Sequence, residues 1–345
     1  MRIDSVRAKC YSCHVIGLLP LLASVALMHS TNESHVKLSG WFLLDDDGSS
    51  LNSLRTHAGS LECASTDWIH CRKDGSVVHG PHPTADERIE LKKIVKRHGL
   101  KIYAMAVNEG FSAEGVEAAL ASPASIAAHV AALVKIAVDE GADGIDLDYE
   151  SLNEKDRGGF TQFVKQLADA LHSHRLRLVM AIHAKESEPG TWGGPQAQEY
   201  AALGRAADSV RVMTYDEHWN TSEAGPISSP DWVARVMAFA ATQIPPGKLE
   251  LGIAAYGYDW LGKKGDGIGW TEWAQRVAAH GPAKRDAASQ ELVLTYDGRT
   301  AYFVDGEAAR PKLAIVRQLG LHGLAMWRLG SEDPGFWPIY DRLSK

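Results

Sequence analysis

Between positions 143 and 150 the chain reads Asp-Gly-Ile-Asp-Leu-Asp-Tyr-Glu. Asp146, Asp148 and Glu150 alternate with Ile145, Leu147 and Tyr149, which is the period of a β-strand. Three carboxylates therefore share one face and three apolar side chains share the other. Asp143 breaks the parity and belongs to the entrance of the strand. A row of carboxylates repels itself unless its members share protons, bind a cation or find partners, and a shared proton raises the pKa of one of them. A carboxylic acid kept protonated near neutral pH is what a general acid requires. Two other readings stand beside this one: the solvated face of an edge strand, and a Mg²⁺ or Ca²⁺ site. The edge-strand reading fits poorly. An Ala-rich helical pattern over 125–140 and Gly141 lead into the run, and helix, turn, strand is the rhythm of α/β proteins, whose strands are covered on both faces.

The elements that would carry this row repeat along the chain. Strands are expected at 37–44, 67–71, 101–107, 144–150, 177–183, 209–215, 249–256 and 323–329. Helical patterns fall between them, among them 88–98, 160–174, 197–206 and 231–242. Such alternation implies parallel strands. Eight units predict an α/β fold of the (β/α)₈ TIM-barrel type, with a doubly wound open sheet as the alternative. In a barrel the chemistry sits at the C-terminal ends of the strands. Glu150 would then reach the open face, with Asp148 and Asp146 successively deeper. The interval 258–310 is too long for one turn and helix. It holds Trp270-Thr271-Glu272-Trp273 and two β-like runs, 292–296 and 300–304, around Asp297-Gly298, a type I′ turn signal. A small α+β insertion after the seventh strand is expected there.

Asp143-x-x-Asp146-x-Asp148-x-Glu150 resembles the signature of glycoside hydrolase family 18, the chitinase family. Met213-Thr214-Tyr215-Asp216 is similar to that family's sixth-strand motif, and Glu217-His218-Trp219 continues it in the manner of some bacterial members. The run from Gly323 to Gly330 resembles the eighth strand, with Trp327 at the position of the substrate-stacking Trp. The resemblance covers roughly residues 36–340, with the insertion a short version of the one that walls the family's groove.

It implies a retaining, substrate-assisted glycosidase, the exception to the two-carboxylate scheme. Glu150 would be the general acid and then the base. Asp148 would orient the 2-acetamido group, sharing a proton with Asp146, and Tyr215 would donate to the acetamido oxygen. Asp216 would hold the distorted sugar, and Trp327 would floor the cleft. Met213, Trp41, Trp219 and Trp260 are further candidates for the cleft, each with plain core packing as the alternative. Asp143 and Gly144 complete the motif. The chain departs from many members at Ala254, where they carry Pro. The implied substrates are chitin or chitooligosaccharides, with peptidoglycan or N-glycans as alternatives and an inactive sugar-binding lectin as a reading from another class. No cofactor is implied.

The bulk numbers agree with a catalytic domain of this size. The chain has 345 residues, 45% hydrophobic and 23% charged, with a formal net charge of −7 and no long basic run. A nucleic-acid partner is not expected. Arg2, Arg7 and Lys9 precede an apolar run over 15–28 that is short for a membrane span, so residues 1–30 read as a signal peptide or leader. The expectation is a monomer that is secreted or periplasmic, with any membrane association confined to the N-terminal segment. Cys10 and Cys13 fall in that leader. Cys63 and Cys71 could form a disulfide or remain two thiols. Asp45-Asp46-Asp47-Gly48 lacks the spacing of a Ca²⁺ loop and reads as a solvated turn. The fifteen His residues show no zinc spacing.

Overall fold

A computed structural model describes residues 35–43, 48–80 and 84–345, and residues His35–Lys345 form one compact unit. The leader, with Cys10 and Cys13, and Asp45-Asp46-Asp47 lie outside the described residues. The strands run in chain order as β1 Lys37–Phe42, β2 Cys63–Cys71, β3 Val77–His79, β4 Lys101–Asn108, β5 Gly144–Asp148, β6 Arg177–His183 and β7 Ser209–Met213. They continue as β8 Leu249–Ala254, β9 Gly257–Leu261, β10 Lys264–Ile268, β11 Lys284–Arg285, β12 Leu292–Tyr296, β13 Arg299–Phe303 and β14 Gly323–Trp327.

Parallel pairing joins β1, β14, β8, β7, β6, β5, β4 and β2 in that order, and β1 pairs with β2 to close the ring. This is a (β/α)₈ barrel. Helices such as Pro123–Glu140 and Arg157–Ser173 pack outside it. The first of them starts at a Ser122 cap with Pro123 in its first turn and stops at Gly141, whose φ of 66° ends the helix in a left-handed turn. From that turn the chain enters β5 with no slack.

The outward residues Ile145 and Leu147 are buried in the layer between barrel and helices. Tyr149 is buried there too, stacked with Phe163 and with its hydroxyl 2.8 Å from Nε2 of His129. The barrel interior is layered. Cys63, Tyr103 and Val179 fill the lower level, and Trp41, Met105, Ala181, Met213 and Ala325 the upper one.

β9 to β13 form a separate antiparallel sheet in the order β10-β9-β13-β12-β11, accompanied by helix Trp270–His280. The β12–β13 hairpin turns through Asp297 and Gly298 with φ of 45° and 75°. Positive φ at both central residues is what a type I′ turn needs.

Several element ends differ from the sequence expectation, each for a local reason. β5 stops at Asp148, so Glu150 stands two residues past the ladder. There Asn108 takes over the work of a neighbouring strand: its Oδ1 accepts the Glu150 N–H and its Nδ2 donates to the Glu150 carbonyl, both at 2.8 Å. β7 likewise stops at Met213, before Tyr215. β2 begins at Cys63 rather than at 67, and its register with β4 shifts between Asp67 and Ile69. The helix expected over 197–206 is two short pieces, Gly193–Ala197 and Tyr200–Ala206. Between them Gln198 is extended, its amide oxygen accepting the His183 N–H at 2.8 Å.

Candidate active site

The site is built from the entrance of β5 upward. Asp143 accepts the Ile102 N–H at 2.8 Å and so fixes the strand's register against β4. At Gly144 a Cβ would lie 2.0 Å from the Arg177 carbonyl oxygen, so only glycine lets β5 and β6 approach this closely. Asp146 is fully buried. Its Oδ2 accepts the Trp41 indole N–H at 2.8 Å and an Arg211 N–H at 2.5 Å.

Arg211 was not among the expected site residues, and it organises the barrel interior. It is fully buried on β7, on the same inward parity as Met213. Besides Asp146, it donates to Ser65 at 2.7 Å, to Glu250 at 3.2 Å and to the Cys63 sulfur at 3.0 Å. Its guanidinium also lies 4.9 Å from the Trp41 ring. Two carboxylates around one guanidinium hold it firmly charged despite its burial. Burial pushes the Cys63 thiol up to about 12, so Cys63 is a neutral acceptor there. Both Cys63 and Cys71 are free thiols, not a disulfide.

With Asp146 paired to Arg211, the proton of the acidic row belongs on Asp148. Burial, then Glu150 and Asp146, raise Asp148 well above the usual carboxylate range. Among the described residues its Oδ1 is buried with no partner, as is Oδ1 of Asp146. An orphaned buried oxygen costs about 1–3 kcal/mol, so such atoms mark places where a proton or a ligand donor belongs. Glu150 is 26% exposed at its side chain. Burial first, and the charge of Asp216 second, push it up to about 7. It is thus poised to give and take a proton near neutrality. Tyr215 is raised well above its ordinary value by burial and by Asp148 and Glu150, and stays a neutral donor. Asp216 adopts a left-handed φ of 58°, which a short Asp tolerates, and accepts the Tyr256 hydroxyl at 2.5 Å.

The aromatic candidates separate by burial. Trp327 is half-buried above the upper interior layer, edge-on to Trp41 with centroids 5.7 Å apart. Trp219 is exposed on the loop after β7. Trp41 is 1% exposed, so it supports Asp146 instead of offering a face to a sugar. Trp260 is equally buried, in the core between barrel and insertion, and donates to the Trp219 carbonyl at 3.1 Å. Met213 is buried in the upper layer beneath Tyr215 and Trp327.

The insertion reaches the site through Glu291. This buried carboxylate accepts the N–H groups of Ile227 and Ser228 at 2.8 Å each, and Ser228 donates to the Thr214 carbonyl at 2.7 Å. Burial pushes Glu291 up to about 7. The strap behind Tyr215 and Asp216 is therefore held from the insertion. Among the described residues no group of three or more His, Cys, Asp or Glu is arranged to hold a metal ion.

The profile of the glycosyl hydrolases family 18 matches residues 60–333. The chain belongs to that family. It is 25% identical over 343 residues to YvbX of Bacillus subtilis, described as an uncharacterized glycosylase, covering 96% of this chain and 98% of that protein. It is 26% identical over 217 residues to the cortical fragment-lytic enzyme of Bacillus subtilis, covering 57% of this chain and 48% of that enzyme. Among solved structures it is similar to a chitinase from Chromobacterium violaceum, with a TM-score of 0.81, 26% identity, and coverage of 89% of this chain and 98% of that one. The chain is thus a family 18 glycosidase.

Proposed function

We propose that this family 18 enzyme hydrolyses β-1,4-linked N-acetylglucosamine polymers, chitin and chitooligosaccharides, with retention and with the substrate's own acetamide as nucleophile. One observation carries the reading: the buried Asp148, whose Oδ1 meets no partner among the described residues, interacts with both Tyr215 and Glu150, and burial pushes it well above the usual carboxylate range and Glu150 up to about 7. Glu150 gives its proton to the glycosidic oxygen as the C–O bond breaks. The acetamido oxygen forms the new bond to the anomeric carbon. Asp148 accepts the acetamido N–H, and Tyr215 donates to the acetamido oxygen. Water then forms its bond to the anomeric carbon as the bond from the acetamido oxygen breaks and the acetamide is restored, and the water's proton returns to Glu150. Trp327 supports the sugar ring from below. Export is part of this reading and rests on the basic and apolar residues of positions 2–28.

A second substrate, peptidoglycan, is favoured by the likeness to the cortical fragment-lytic enzyme. The chemistry is unchanged, because the cleaved sugar again carries an acetamide. Chromatography of products from N-acetylglucosamine tetramer and from purified peptidoglycan, run side by side, tests the choice. Release of N-acetylated dimers from the tetramer supports the first substrate. Soluble muropeptides without chitooligosaccharide cleavage support the second. Failure to cut either glycan contradicts the proposal.

A further inference from the structure

His183 ends β6 beside Glu150, and none of the chemistry above uses it. Its Nδ1 lies 4.0 Å from Oε2 of Glu150, and its side chain is only 11% exposed. Its Nε2 accepts the Ser151 N–H at 3.4 Å, so in the neutral ring the proton sits on Nδ1 and faces Glu150. This N–H is thus a side-chain donor at 4.0 Å from the Glu150 carboxylate.

The imidazole is built into place. Its backbone N–H donates to Gln198 at 2.8 Å, and its carbonyl accepts the Tyr200 hydroxyl at 2.5 Å. Trp192 covers the ring at a centroid distance of 4.6 Å. A Cβ at Gly194 would meet Trp192 at 2.4 Å and His183 at 2.8 Å, so glycine is needed for that cover. The loop carrying Trp192 is gathered on the Lys185 ammonium, which donates to the carbonyls of Pro195 at 3.0 Å and Gln198 at 2.5 Å. Such enclosure keeps the ring uncharged: burial lowers its pKa to about 4.

We propose that His183 is a positioning residue for Glu150, whose Nδ1–H closes onto the Glu150 carboxylate once the proton has gone to the leaving oxygen. A gap of 4.0 Å is no hydrogen bond, but catalytic contacts that are long in the free enzyme tighten when substrate is bound. The other groups facing Glu150 are Asp148 on its own strand, and Tyr215 and Asp216 after β7. The Asp216 charge opposes its ionised form, Asp148 beside it carries the proton of the acidic row, and Tyr215 is committed to the acetamido oxygen. The His183 N–H favours the charged carboxylate. The bond therefore strengthens as the proton leaves, and it holds Glu150 in the ionised form that receives the proton of the attacking water.

The inference rests on the proposed reaction, and the test separates the two. Long-range ¹H–¹⁵N NMR of the wild-type protein reads the His183 tautomer without turnover: a neutral Nδ1–H ring at pH values down to about 5 is expected. An Nε2–H tautomer, or an imidazolium at neutral pH, overturns the proposal whether or not the enzyme cleaves chitooligosaccharides. The kinetic arm compares His183→Ala and His183→Asn on the N-acetylglucosamine tetramer. The Ala variant should lose about tenfold in kcat, and the alkaline limb of its kcat profile should move up by about one pH unit, because a donor to the charged form is gone. The limb in kcat/KM, which reports the free enzyme, should move less. Asn, whose amide N–H can take the place of Nδ1–H, should restore most of the rate and the limb. A loss in Ala with an unmoved limb, or Asn no better than Ala, shows a packing role and refutes the inference. A wild-type enzyme inactive on the tetramer refutes the reading of function instead.

Discussion

Replacing Glu150 with Gln should stabilise the protein at alkaline pH and leave it unchanged at acid pH. Burial and the Asp216 charge move Glu150 from 4.5 to about 7. A folded-state pKa raised above the unfolded value means that the native protein binds the extra proton. Its contribution is fully present below about 4.5 and is lost as the pH climbs through about 7. Each pH unit between those two values is worth about 1.36 kcal/mol, so the full swing is about 3 kcal/mol. Gln keeps the shape and never ionises, so it escapes that loss. Urea unfolding of both proteins at about pH 4 and about pH 8.5 reads the difference as a change in midpoint at constant slope. The expected result is a gain of about 3 kcal/mol for Glu150→Gln at the higher pH and none at the lower. The same variant should lose about 10²–10⁴-fold in turnover as the general acid disappears. Equal stability of the two proteins at both pH values would refute the claim that Glu150 is ionised at a cost inside the site.

Arg211→Met should destabilise the fold by about 3–5 kcal/mol, because it strands the buried carboxylates of Asp146 and Glu250. Denaturant unfolding checks this, and a loss under about 1 kcal/mol would mean that the interior pair is dispensable. Trp327→Ala should lower kcat as well as raise KM, since a ring support that tightens in the transition state affects both. Thermal melting on the same preparation separates this from lost packing, and normal turnover in a variant that melts early would place Trp327 in the core alone. Activity should persist in EDTA, because the acidic row is balanced by Arg211 and by the Asp148 proton. Loss in EDTA with recovery on adding Ca²⁺ or Mg²⁺ would reverse that conclusion.

The barrel and the acidic row were legible because both are periodic. Alternation placed Asp146 and Asp148 on one face, and the repeated helix and strand patterns placed them in a parallel ring. Partners were harder to read than positions. Alternation leads to proton sharing between Asp146 and Asp148, but not to the partner that anchors Asp146, Arg211, which arrives from another strand 65 residues on. The signal was the parity of Arg211 with Met213 and Tyr215, which gives a charged side chain an inward direction. Strand-end position leaves Trp41 open between cleft and core packing, and its burial against Trp327 with the bond to Asp146 favours the second. Glu291 and His183 left no local mark. One works through backbone N–H groups 63 and 64 residues away, and the other through a neighbouring strand's loop. Contacts of that kind follow from topology, which no window of sequence contains.

In the proposed reaction the acetamide of the substrate, held by Asp148 and Tyr215, does the work of a nucleophile. Time-resolved ¹H NMR of N-acetylglucosamine tetramer hydrolysis tests it most directly, with the fully deacetylated tetramer as the companion substrate. The β-anomer should appear first from the acetylated tetramer, with no cleavage of the deacetylated one. An α-anomer formed first, or efficient cleavage of the deacetylated tetramer, would contradict it.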